Sequence, residues 1–119
     1  MPKSARDAAD TYRQAVNTKS LDLLRTIFAD GAVLQVPAAL TPSDPTGTFV
    51  GIDNVMGFFT HVSFPDKAVL TYTHIYEDAN TCVVELTGDL PDRRVEALDI
   101  FTVDEDGMVT RMAVYARVV

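Results

Sequence analysis

Residues 93–103, Arg-Arg-Val-Glu-Ala-Leu-Asp-Ile-Phe-Thr-Val, decide how this chain is read. They alternate as a strand does, with Arg94, Glu96, Leu98, Ile100 and Thr102 on one face and Val95, Ala97, Asp99, Phe101 and Val103 on the other. The second face is apolar apart from Asp99, so it points to a core. A carboxylate there is costly unless it is paired, hydrogen-bonded or held neutral. Held neutral by desolvation, it becomes a hydrogen-bond donor. The alternative is a structural acid that accepts bonds from backbone amides or a buried arginine, since perturbed acids gather at functional sites only as a tendency.

Working outward, three turn signals flank and follow that stretch's neighbours: Glu77-Asp78-Ala79-Asn80, Gly88-Asp89-Leu90-Pro91-Asp92 and Asp104-Glu105-Asp106-Gly107. They divide the second half of the chain into strands near 68–76, 81–88, 93–103 and 108–118. In the last of these Met108, Thr110, Met112, Val114, Ala116 and Val118 form the inward set. Upstream, Ser4 caps a helix whose apolar face is Ala5, Ala8, Ala9, Tyr12, Ala15 and Val16. Ser20 caps a short second helix with Leu21, Leu24, Ile27 and Phe28 inside, and Asp30-Gly31 reads as the turn that ends it. Ala32, Leu34 and Val36 alternate as a strand. Pro37–Thr48 is a proline-rich loop and a candidate lid, and Asp53 reads as the cap of a third helix carrying Val55, Phe58, Phe59 and Val62. Segregated helices and an antiparallel meander make an α+β fold: three N-terminal helices packed on a strongly curved sheet, a cone with an apolar pocket inside.

The 119 residues make one domain, 1–119. Ten Lys and Arg against seventeen Asp and Glu leave a net charge of −7, which argues against nucleic acid or an anionic membrane surface as partner. Neither a membrane-spanning run nor the apolar segment of a signal peptide is visible, so a cytoplasmic protein is expected. The single cysteine, Cys82, has no internal partner and reads as a small core or interface residue. With no glycine-rich phosphate loop and no metal-ligand spacing, neither a cofactor nor a metal is expected.

Tyr12 lies on the buried face of the first helix, where a phenol needs a polar partner. Alone it reads as an ordinary core tyrosine. Together with Asp99 it makes two polar groups facing one apolar hollow. Here the chain resembles the nuclear-transport-factor-2-like superfamily, in its SnoaL-like and ketosteroid-isomerase branch. The resemblance is carried by Phe28-Ala29-Asp30-Gly31-Ala32, by Phe49-Val50-Gly51 leading into Val55, Phe58 and Phe59, and by the stretches around Tyr12 and Asp99. It implies that Tyr12 and a protonated Asp99 form an oxyanion hole for one carbonyl oxygen, as in ketosteroid isomerases. The pocket it implies is walled by Val36, Phe58, Phe59, Phe101, Met112, Val114 and Ala116.

The departures from those isomerases are informative. Their general base ends the first strand before a proline; here that position is Val36, in Leu34-Gln35-Val36-Pro37. Their supporting tyrosine is Phe59, and a pocket aromatic is Ala116. His74 and His61 are the candidate replacement bases, since imidazole titrates near neutrality, although each also reads as a solvated or interface histidine. Asp44, in the proline-rich loop, could reach over the mouth. The charged Asp-Arg-Asp set of epoxide hydrolases is absent around Asp99, where Ala97 and Leu98 stand. The expectation is a cofactor-independent isomerase or cyclase for a steroid, terpenoid or polyketide carbonyl compound; alternatively, a non-catalytic binding protein for a hydrophobic small molecule, which Val36 favours. Leu98, Ile100, Val109, Ala113 and Tyr115, read as outward-facing, suggest a homodimer through the sheet.

Overall fold

A computed structural model describes residues 4–37 and 46–119. Most of Pro37–Thr48, and with it Asp44, lies outside the described residues. The first helix, α1 (Ala5–Thr18), begins where the Ser4 hydroxyl accepts from the Asp7 amide and ends at Lys19, whose left-handed backbone returns its N–H to the last carbonyls. Its six-residue apolar face, Tyr12 included, is buried. The short α2 (Leu21–Arg25) is capped by Ser20 in the same way.

Strand β1 (Phe28–Gln35) runs straight through Asp30-Gly31, which is therefore not a helix-ending turn. Its pairing shifts between Phe28 and Val33, so the turn-forming dipeptide makes an irregularity within a strand. A three-residue strand that the sequence did not announce, β2 (Thr48–Val50), pairs with β1. Helix α3 (Ile52–Phe58) is capped by Gly51 rather than Asp53. Gly51 sits at φ 88°, a conformation open to glycine, while Asp53 lies in the first turn and accepts from Arg25 at 3.0 Å. A π-helical turn (Phe59–Ser63) follows and adds a residue to the winding. The extra residue moves Val62 off the apolar face, and it is 36% exposed.

The remaining strands are β3 (Val69–Glu77), β4 (Thr81–Asp89), β5 (Arg94–Val103) and β6 (Val109–Val118). The sheet order is β2-β1-β6-β5-β4-β3, antiparallel except where β1 runs parallel to β6. Helices cover one face of this curved, open sheet. Two residues expected outside are buried. A register shift between Thr102 and Val103 turns Val109 inward, and Val109 is fully buried. Ala113 is 1% exposed because its short side chain lies between longer neighbours, Gln35 on β1 and Ile100 on β5. Val118, expected inside, is exposed at the strand's end.

Register places the inward residues of β4, β5 and β6 in rows. Met112, Phe101 and Cys82 form one fully buried row. The next holds Val114, Asp99 and Val84; then Ala116, Ala97 and Leu86; then Val95 and Gly88, beside the exposed Val118 at the strand's end. Bulk is thus concentrated on one side of Asp99, and small side chains on the other. The helices cannot close down on alanine and glycine as they do on phenylalanine and methionine. A hollow is left on that side.

Candidate functional site

The hollow has a volume of about 140 Å³. Its walls are apolar: Leu34 from β1 and Val36 just after it, Phe58 at the end of α3 and Phe59 at the start of the π-helical turn, Leu70 and Leu86 from β3 and β4, and Val95, Ala97, Val114 and Ala116 from β5 and β6. Tyr12 and Asp99 face it, and Ser63, Leu90 and Arg93 lie where it meets the outside.

Asp99 is 3% exposed, the one carboxyl or basic side chain buried in the core among the described residues. Burial pushes its carboxyl from the ordinary 3.8 up to about 7. Burial also raises the phenol of Tyr12, and the nearby Asp99 raises it further. Around neutrality Tyr12 carries its proton, and Asp99 carries its own on the acid side of about 7. Among the described residues neither side chain has a hydrogen-bond partner, yet no buried side-chain nitrogen or oxygen is both sealed and unpartnered. Both groups therefore keep a polar atom open to the hollow. The structural alternative for Asp99, an acid satisfied by amides or a buried arginine, has no such partners among the described residues.

The Tyr12 ring is fixed from two sides. Phe59 meets it edge-on at 5.9 Å between centroids and Phe101 at 5.4 Å. Phe101 and Met112 were expected in the pocket wall; the structure packs both in the closed row below it, where Phe101 supports Tyr12 instead. Phe59 offers no hydroxyl behind Tyr12. A further tyrosine, Tyr72 on β3, is close enough to interact with Asp99, but its hydroxyl donates to the Ala9 carbonyl at 2.6 Å. Its proton is committed to the backbone of α1, under the Arg13 guanidinium stacked 5.0 Å from the ring.

The two histidines lie elsewhere. His74 is largely exposed and sits 2.9 Å from the Glu85 carboxylate, and His61 is exposed on the π-helical turn. Neither lines the hollow. Cys82 is fully buried in the core. Among the described residues no three His, Cys, Asp or Glu side chains gather as a metal site requires. In the sequence Arg93 stands at the start of the 93–103 strand, with no role assigned to it. Its signal was position: one residue before an inward-alternating strand.

Residues 9–112 match the family model of the SnoaL-like domain. The chain belongs to that family. No curated protein matches this SnoaL-like domain in sequence. Solved structures match it throughout its length. A protein of Kribbella flavida DSM 17836, provisionally described as a ketosteroid isomerase, superposes with a TM-score of 0.80 at 19% identity, covering 95% of this chain and 77% of its own. A computationally designed 17-OHP binder gives 0.81 at 15% identity, covering 100% and 98%. The epoxide hydrolase/cyclase-like enzyme SalBIII, described for its role in pyran ring formation in polyether salinomycin, gives 0.76 at 19%, covering 95% and 90%. At these identities the likeness establishes the fold, which is thus shared by proteins of different activities. No helix among the described residues is long and apolar enough to cross a membrane.

Proposed function

We propose that this SnoaL-like domain binds a lipophilic carbonyl compound, of steroid, terpenoid or polyketide chemistry, and polarises its carbonyl by hydrogen bonds from Tyr12 and protonated Asp99. The observation that carries this reading is the pair itself: a phenol and a carboxyl group, unpartnered among the described residues, open to one apolar hollow. Donors fixed in a dry site stabilise charge developing on a carbonyl oxygen more than water does. Isomerisation or cyclisation without a cofactor then needs little beyond a shaped cavity, since orientation alone contributes several kcal/mol. A cavity of about 140 Å³ resembles the roughly 150 Å³ void that accepts benzene, so it takes one ring, and a longer ligand extends through the mouth.

A second reading, a binding protein without catalysis, is favoured by Val36. It lines the hollow where a proton-moving carboxylate would be needed, and both histidines lie away from it. On either reading the protein acts in the cytoplasm as a homodimer. The half-exposed Leu98 and the exposed Tyr115 on the outer sheet face are what support that pairing. The test is a titration with a substituted phenol, an enolate mimic, near pH 6. The wild type binds it at least about tenfold more tightly than Asp99→Leu, a difference of roughly 1.4 kcal/mol. Equal affinities would make Asp99 structural.

A further inference from the structure

The polar groups of the hollow are not gathered in one place. Tyr12 and Asp99 occupy its inner end, beside the closed row of Phe101 and Met112. Arg93, the only cation among the described lining residues, stands at the other end. Six residues of nearly extended chain separate Arg93 from Asp99, a span of roughly 20 Å at about 3.3 Å per residue. The inward positions between them on β5 are Val95 and Ala97, facing Gly88 and Leu86 on β4 and Ala116 on β6. The corridor from one pole to the other is therefore apolar. A ligand's middle finds nothing there to hydrogen-bond.

Arg93 is held at the rim by its backbone, whose carbonyl accepts from the Leu90 amide at 2.9 Å across the turn. Its side chain is 38% exposed, and one of its partners is the exposed carboxylate of Asp92 at 3.2 Å. Exposed ion pairs are weak, so a carboxylate presented from inside the hollow competes with such a partner. The guanidinium fork matches a carboxylate in two parallel bonds. A net charge of −7 repels anions from most of this surface, which makes a cation at the mouth a local feature of selection.

From this juxtaposition we propose that Arg93 is a ligand-binding residue: it receives a carboxylate at the far end of a compound whose carbonyl oxygen lies at Tyr12 and Asp99. The inference rests on the oxyanion reading above and narrows it to keto acids with an apolar middle.

The test uses 4-hydroxyphenylalkanoic acids of graded chain length and their methyl esters, titrated calorimetrically near pH 6. The phenol occupies the one-ring hollow, and the chain carries the carboxylate outward. At the best length the acid binds the wild type about tenfold or more tightly than its ester. Arg93→Gln brings the acid down to the affinity of its ester, and Arg93→Lys restores part of the difference. Thermal melting shows that the variants are folded. Equal affinity of acid and ester at every length, an acid preference that survives Arg93→Gln, or binding of neither compound overturns the assignment. Asp99→Leu separates the two readings. It weakens acid and ester alike if the clamp operates. If it weakens neither while Arg93→Gln still removes the acid preference, the oxyanion reading fails and the role of Arg93 stands.

Discussion

Ala97 and Ala116 stand opposite one another across β5 and β6, one inward row beyond Asp99. Asp99 itself pairs with Val114, and the row on its other side is Phe101 with Met112. The step from large to small side chains across a single carboxylate makes the hollow and puts the acid in its wall.

Filling that step is the first prediction. Ala116→Leu projects three more carbons into the hollow, where space of about 140 Å³ is available. Phenol binding falls by about tenfold or more, while thermal stability stays the same or rises, because added methylene groups enter a void and not a packed core. A large drop in melting temperature with ligand binding retained would place the cavity elsewhere.

Burial of Asp99 links stability to pH. Its folded-state pKa of about 7 lies above the ordinary 3.8, so the folded protein holds a proton that the unfolded chain releases. Stability from this group is complete below about pH 3.8, declines as pH rises towards 7, and is lost above it. The interval corresponds to at most roughly 4 kcal/mol. Asp99→Asn carries no such proton. In urea unfolding its stability relative to the wild type should grow from about pH 4 to about pH 7 and then level off. A constant difference across that range would show that the carboxyl is already ionised and paired when folded.

The same proton governs recognition. Below about 7 the carboxyl donates, and above it the carboxylate only accepts, so affinity for a phenolate mimic declines as pH passes upward through that value. Asp99→Asn, which has an amide donor at every pH, loses this decline. An unchanged pH profile in the variant would remove Asp99 as its source.

Val36 is 8% exposed and faces the hollow, with its backbone amide held by Gly47 at 2.8 Å. Val36→Asp adds a second carboxyl group to the hollow. With Tyr12 and Asp99 in place, this variant should convert 3-cyclohexenone, a one-ring β,γ-unsaturated ketone, to its conjugated isomer faster than the wild type does, by about a hundredfold or more. Absorbance of the conjugated product reports the rate. A variant that binds the ketone and leaves it unchanged would show that the clamp and position 36 do not converge on one substrate.

The outer sheet face tests the assembly. Tyr115 is 59% exposed and Leu98 39%, on the side of the sheet away from the helices. Light scattering at micromolar concentration should give twice the chain mass, and Tyr115→Glu should halve it. A wild-type monomer would contradict dimerisation through this face.

Much of this was legible in the sequence because alternation carries it. The period-two pattern of 93–103 located the strand, its buried face and the misplaced acid, and helical spacing put Tyr12 inside. Several errors arose where residues are inserted into a repeat. The π-helical turn displaced Val62, the shift near Thr102 and Val103 turned Val109 inward, and Asp30-Gly31 lies in a register shift within a strand that it does not end. Period arguments assume continuity and fail at such insertions. The parallel pairing of β1 with β6 left no local signal, since it joins residues about eighty apart. Phe101 and Met112 share the inward face of their strands with Asp99 and Val114. Only the depth of the packing distinguishes wall from floor.

The central claim is that Tyr12 and Asp99 together polarise one carbonyl, and the vibration of that bond reports it most directly. In an infrared difference spectrum near pH 6, 2-cyclohexenone bound to the wild type should show its carbonyl stretch at lower frequency than in water. The displacement should shrink in Tyr12→Phe and again in Asp99→Leu. A bound stretch at the aqueous position, or one that neither substitution moves, would contradict the account.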